Sequence, residues 1–210
     1  MRVLVACEFS SVVRDAFRKR GHDAGSCDLL PTEREGPHIQ DDVLLHLEDG
    51  WDLMIAHPPC TYLTCTGNKW FKPEFASRFP RRQEQRKDAI SFFLALANAP
   101  IKQSCIENPV GIMSSLWRTP DQIIDPTDFG HEANKKTCLW LNGLPRLVRE
   151  CADAPLFGQR KPVGERVTYK SGRSMPKWYA EAVSKSGRAA IRSKTFQGIA
   201  DAMAEQWGAP

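Results

Sequence analysis

Ala56-His57-Pro58-Pro59-Cys60-Thr61 follows directly on the run Trp51-Asp52-Leu53-Met54-Ile55. That run reads as a buried parallel strand, because strands covered on both faces carry near-continuous apolar residues. Two prolines then force the chain out of the sheet, since neither donates a ladder hydrogen bond and both hold φ fixed. A cysteine comes next. A thiol at the carboxyl end of a parallel strand lies where open α/β sheets place their ligands. Further along, Ser104-Cys105-Ile106 is a second strand-like run, ending in Glu107-Asn108-Pro109. A nucleophile at one strand tip and a carboxyl at another suit chemistry on one small, flat substrate. The plainer reading of Cys60 is a small buried hydrophobe, the usual fate of an unbridged cysteine.

Outward from this stretch, strands alternate with helices. A first strand covers 3–6. Ser10 or Ser11 is a candidate N-cap for a helix with Val12, Val13 and Phe17 on its inner face. Arg18-Lys19-Arg20 suits the negative end of that helix, and Gly21 stands where a C-terminal glycine fits. A weak strand over 24–27 ends at Asp28. Residues 29–39 read as loop, and Asp41-Asp42 opens a short element reaching His46. Thr61–Pro80 reads as a long loop, of the kind that is usually functional. A helix over 82–97, a strand over 102–106, a short helix over 113–116 and an extended segment over 122–124 follow. A strand over 137–141 then ends at the turn Asn142-Gly143, and a helix over 200–207 is closed by Gly208. This alternation predicts an α/β sheet.

The chain has 210 residues, 41% of them hydrophobic, which is enough for one domain with a real core. No stretch approaches the roughly 18 apolar residues of a membrane span. The N-terminus turns acidic at Glu8, too soon for a signal peptide. Seven scattered cysteines predict a reduced, cytoplasmic compartment. His57 and Cys60 have no matching second pair, so no zinc site is expected. The net charge is only +4, but it is unevenly spread. Between 159 and 194 stand Arg160, Lys161, Arg166, Lys170, Arg173, Lys177, Lys185, Arg188, Arg192 and Lys194 against Glu165 and Glu181. Within 69–87, Arg78, Arg81, Arg82, Arg86 and Lys87 are interleaved with or follow Trp70, Phe71, Phe75 and Phe79. Cations with aromatics suit a phosphate backbone and stacked bases, although most charge runs are solvated surface.

Taken together, these residues resemble the DNA cytosine-C5 methyltransferases, in order and over the catalytic core. His57-Pro58-Pro59-Cys60 is similar to the family's Pro-Cys nucleophile motif, with Thr61 where glutamine is commoner. Glu107-Asn108-Pro109 resembles its Glu-Asn-Val motif. Phe9, Ser10 and Ser11 fall on the Phe-x-Gly-x-Gly cofactor turn, Asp28 where an acid holds ribose hydroxyls, and Asp42 where an aspartate reads the adenine amino group. Phe129-Gly130 and Lys135 look like the segment preceding a late strand. Thr195-Phe196-Gln197-Gly198 falls where the last motif folds back to the cofactor.

The resemblance implies a Rossmann-like S-adenosylmethionine-dependent methyltransferase fold over 1–210, with a mostly parallel sheet flanked by helices. A basic, irregular insertion over 144–193 would stand in place of a target-recognition domain. It also implies S-adenosylmethionine as cofactor, held by Phe9, Ser10, Ser11, Asp28, Asp42, Pro58, Thr195 and Gly198, and DNA as partner. Cys60 would add to the pyrimidine ring, and Glu107, with a carboxyl pKa raised by burial, would stabilise the adduct. Asn108 would orient the glutamate's loop, and Lys135 would face the ring carbonyl or a phosphate. The remaining cysteines, Cys7, Cys27, Cys105, Cys138 and Cys151, are expected to be inert, and Cys65 lacks the proline brace. The chain departs from the family in its glycine-poor turn at Ser10-Ser11-Val12 and in Lys135-Lys136 where arginines are usual. Alternatives are the same chemistry on a pyrimidine nucleotide or RNA, and a DNA-binding protein whose methyltransferase site has decayed.

Overall fold

The structure is a computed structural model that describes residues 1–131, 133–148, 165–172, 174–177, 180 and 193–209. Seven strands form one sheet: β1 (Arg2–Ala6), β2 (Asp23–Cys27), β3 (His38–Ile39), β4 (Leu53–Ala56), β5 (Gln103–Pro109), β6 (Gln122–Ile124) and β7 (Thr137–Asn142). Their order is β3-β2-β1-β4-β5-β7-β6. The first five run parallel, and β7 enters antiparallel between β5 and β6. This is the α/β, Rossmann-like, mostly parallel sheet flanked by helices expected from the sequence. Its strand order reverses direction between β1 and β4, where sheets of this kind open a ligand crevice.

Period-two alternation divides the strands between two cores. Val3, Val5, Leu53 and Ile55 face α1 (Val12–Lys19) and the C-terminal helix (Gln197–Trp207). Leu4, Met54 and Ile106 face Phe93 and Leu96 of α2 (Arg82–Ala97). On that second side Phe93 meets Trp140 edge-on at 5.2 Å.

Several boundaries differ from expectation. Neither serine side chain caps α1. Glu8 does so instead: its carboxylate accepts from the backbone N–H groups of Val13 (2.8 Å) and Arg14 (3.1 Å), and from the Ser10 hydroxyl (3.3 Å). Two oxygens reach two orphan donors, and the negative charge meets the positive end of the helix. The 29–39 loop ends in the short strand β3, which the apolar pattern of two residues could not reveal. Thr61–Pro80 is built from 3-10 turns at Cys65–Phe71 and Pro73–Phe75. Glu107-Asn108-Pro109 lies within β5 rather than beyond it, because β7 pairs with all three residues. The last helix begins at Gln197, and Gly208 ends it with an ordinary right-handed φ of −83°.

Of the expected irregular insertion, the described residues include an antiparallel hairpin, β8 (Arg166–Thr168) and β9 (Ser174–Pro176). Arg160, Lys161, Arg173, Lys185, Arg188, Arg192 and Cys151 lie outside the described residues. Among the described residues no helix is long and apolar enough to cross a membrane.

Candidate active site

Register builds the site. Ala6 pairs with Ala56, and Ala56 pairs with Ile106. The next residues, Cys7, His57 and Glu107, therefore emerge side by side from β1, β4 and β5. The His57 N–H still donates to the Ala6 carbonyl (2.9 Å), so the chain leaves the sheet only after His57. Cys7 and His57 follow the last residues of β1 and β4, Glu107 is still within the longer β5, and the three stand together beside the point where strand order reverses.

His57 Nδ1 lies 2.5 Å from Glu107 Oε2, with side chains 8% and 9% exposed. Burial by itself raises the Glu107 carboxyl. The hydrogen bond and charge of His57, assisted by Lys135 and the Thr137 hydroxyl, outweigh it and bring the group down to about 2. Burial likewise pulls the His57 imidazole down, yet Glu107 and, further off, Glu8 raise it above its ordinary value against the opposing charge of Lys135. The expectation of a raised Glu107 carboxyl is thus overturned. The residue in front of the prolines supplies a hydrogen-bond partner and, when protonated, a positive charge, which burial alone does not consider.

Asn108 is 2% exposed, and its Nδ2 donates to the Pro58 carbonyl at 2.8 Å. It clamps the cysteine's loop rather than the glutamate's own. Beyond the buried Pro58, the N–H groups of Leu63 and Thr64 both donate to the Cys60 carbonyl at 3.0 Å. Cys60 thus starts a tight turn, partly exposed. The turn is seated on the far end of β5: Cys65 N–H donates to Val110 and Ile112 N–H to Leu63. Gly111 lets the segments meet, since a Cβ there would lie 2.1 Å from the Leu63 carbonyl oxygen.

Behind His57 is a cleft with about 270 Å³ of empty space, part of it open to solvent, lined by Cys7, Glu8, Phe9, Ser10, His57, Ser193, Lys194 and Thr195. Three of the sequence-derived cofactor residues, Phe9, Ser10 and Thr195, meet here. Ser11 is fully buried and sits just behind, its hydroxyl 2.6 Å from that of Thr32. Its φ of +65° is the left-handed conformation that a glycine would take without strain. Asp28 and Asp42 are not among the cleft-lining residues, but their charges, after burial itself, raise the thiol of Cys7, which is. Each also braces local backbone: Asp28 accepts from Leu30 N–H (2.9 Å), and Asp42 caps the 3-10 turn Val43–His46 through Leu44 N–H (3.0 Å).

Pro58 and Gly198 are not among the cleft-lining residues. A Cβ on Gly198 would meet the Phe129 carbonyl at 2.1 Å, so this glycine lets the C-terminal helix pack closely. Lys135 lies within electrostatic reach of both His57 and Glu107, and its Nζ is 3.5 Å from the Lys194 carbonyl. Sequence reasoning missed the chemical roles of His57 and Glu8. His57 enters the sequence reading as half of an HxxC spacing with no second pair and as the residue ahead of the Pro-Cys motif, and a glutamate two residues past a strand, ahead of a helix, is the available sign for Glu8. Burial raises the thiols of Cys105 and Cys138 and pushes Cys27 up to about 11, in keeping with inert cysteines.

The basic 69–87 segment is partly self-engaged. Trp70 packs edge-on against Phe75 (5.0 Å) and Phe79 (5.5 Å). Arg82 and Arg86 lie over Phe71, and Arg86 also donates to the Tyr62 carbonyl and Asn68 side chain. Lys72, Arg78, Arg81 and Lys87 remain on the surface.

No family model matches this chain, and no curated protein matches it either. Among solved structures it is similar to a candidate DNA modification methyltransferase encoded within a prophage of E. coli. Identity is 13% and the TM-score 0.43, over 68% of this chain and 46% of the other. The chain thus spans less than half the length of that protein.

Proposed function

We propose that this protein transfers a methyl group from S-adenosylmethionine to C5 of cytosine in DNA through a covalent Cys60 adduct. The carrying observation is the Asn108–Pro58 clamp, which ties the loop bearing the thiol to the strand bearing Glu107. Nucleophile and carboxyl are thereby held in one frame, as a two-point attack on a single ring requires.

The cleft beside the strand-order reversal fits the cofactor: Phe9 offers a half-buried aromatic face, Ser10 and Thr195 offer hydroxyls, and His57 Nε2 is a buried atom without a partner among the described residues. S-adenosylmethionine supplies an electrophilic methyl group when bound there. The left-handed Ser11 supports a working turn despite the missing glycines. Cys60 Sγ adds to C6, which makes C5 nucleophilic. Lys135 adds positive charge near the ring as electrons move onto it. A paired base inside a duplex is out of reach, so the cytosine is flipped out or single-stranded. The surface cations of 69–87 would hold the phosphate backbone.

The test is methyl transfer from labelled S-adenosylmethionine to cytosine-containing duplex, single strand and mononucleotide, with the product identified by mass. We expect 5-methylcytosine from the wild type and none from Cys60→Ser. Full transfer by Cys60→Ser rules out the covalent mechanism. Transfer confined to the mononucleotide replaces DNA by a free nucleotide as substrate.

A further inference from the structure

His57 is the one buried ionisable side chain shared by the two halves of the site. Its Nδ1 holds Glu107, and its ring borders the cleft with Cys7, Glu8, Phe9 and Ser10. Its other nitrogen, Nε2, is a buried atom with no partner among the described residues. Glu107 from β5, Glu8 after β1 and Lys135 before β7 all act on the imidazole, and Cys7 and Lys194 share its cleft. One carboxylate is thus hydrogen-bonded to a largely buried imidazole and a second acts on it by charge, which favours keeping a proton there.

We propose that His57 is the positioning residue that stores the proton Glu107 delivers to N3 of the pyrimidine ring. This rests on the cytosine-C5 reading. As Cys60 Sγ bonds to C6, the C5=C6 pair shifts to C4=C5 and the C4=N3 pair moves onto N3. N3 takes a proton from Glu107, which takes one from His57 Nδ1. The ring becomes a neutral enamine and His57 a neutral imidazole. The C4=C5 pair would then form the bond to the methyl carbon as the methyl–sulfur bond of S-adenosylmethionine breaks, its electron pair staying on sulfur to leave S-adenosylhomocysteine, and C4=N3 is restored with N3 still protonated. Loss of the C5 proton to water re-forms C5=C6 and expels the Cys60 thiolate. The N3 proton returns through Glu107 to Nδ1. His57 never touches the ring. It answers a difficulty of the site, in which a glutamate that must donate a proton is held ionised by its own surroundings.

The experiment compares wild type with His57→Gln, which retains an amide donor but no titratable proton. We expect kcat for methyl transfer to fall at least tenfold at pH 7.5, with KM for DNA within threefold. We also expect the variant's rate to rise as pH falls below 6, where Glu107 takes protons directly from solvent, while wild type shows no such rise. An unchanged kcat, or a loss equal at every pH, overturns the proposal and leaves His57 a structural partner. Nitrogen-15 spectra of the imidazole read the pair without catalysis. Both His57 nitrogens should carry protons at pH 7 in wild type, and only one in Glu107→Gln. A neutral His57 in wild type at pH 7 overturns the proposal whatever the rates. If wild type makes no 5-methylcytosine while His57 is doubly protonated, the assigned reaction has failed and the proton store remains.

Discussion

At the scale of single residues, Glu8 and His57 show how positions one or two residues past a strand acquire chemistry. Glu8 is 4% exposed, and both oxygens are occupied by N–H groups of the helix it precedes. Glu8→Ala leaves those donors without an acceptor and should cost about 1–2 kcal/mol, measured by chemical denaturation. Glu8→Gln, retaining one oxygen, should cost less. The His57–Glu107 pair makes stability depend on pH from both sides. Glu107 titrates near 4.5 when free of its surroundings and near 2 in the fold, so its contribution is present above 4.5 and fades as pH falls toward 2. His57 titrates near 6.5 when free and higher in the fold, so its contribution is full below 6.5 and fades as pH rises through the folded value. The stability difference between wild type and His57→Gln should therefore be largest between pH 4.5 and 6.5. A difference that does not vary with pH in thermal melts would show that the pair carries no net ionic stabilisation.

At the scale of elements, two loops are held by groups whose role the sequence hides. Arg14, on the inner face of α1, is completely buried. Its guanidinium donates to the carbonyls of Glu35 (2.8 Å), Arg34 (3.3 Å) and Pro37 (3.4 Å), gathering 34–37 over the helix. An arginine between Val13 and Asp15 reads as a surface residue, because the loop that covers it has no hydrophobic pattern. The turn after Cys60 depends likewise on Gly111, one strand away. Gly111→Ala places a methyl group into backbone that cannot yield like a flexible side chain. Overpacking of this kind costs about 1–3 kcal/mol. We expect that loss in denaturation, together with slower methyl transfer, since the displaced segment, Leu63-Thr64, is the one bonded to the Cys60 carbonyl.

At the scale of the whole molecule, basic charge divides into exposed and structural portions. Arg82 and Arg86 hold aromatic rings, whereas Lys72 and Lys87 project into solvent. If both lysines meet DNA phosphates, Lys72→Ala with Lys87→Ala should lower the slope of log affinity against log salt by about 2. An unchanged slope places the DNA path elsewhere. Arg86→Ala should instead disturb the loop's aromatic packing, visible in the near-ultraviolet circular dichroism of Trp70.

The sequence by itself determined four of the sheet's five parallel strands, all but β3, together with α2 and the Pro-Pro exit to Cys60. Apolar runs and prolines act locally, so their consequences are legible in a few consecutive residues. It also identified Phe9, Ser10 and Thr195, which the fold gathers at one cleft. Only the tertiary structure decided the rest. Glu107 is ionised rather than protonated because His57 arrives beside it from another strand. Asn108 holds Pro58 rather than its own loop because β4 and β5 are neighbours in register. Gly198 serves packing because Phe129 lies against it. A charge's state and a side chain's partner depend on what stands within a few ångströms, and residues 50 positions apart become neighbours only when the sheet has formed.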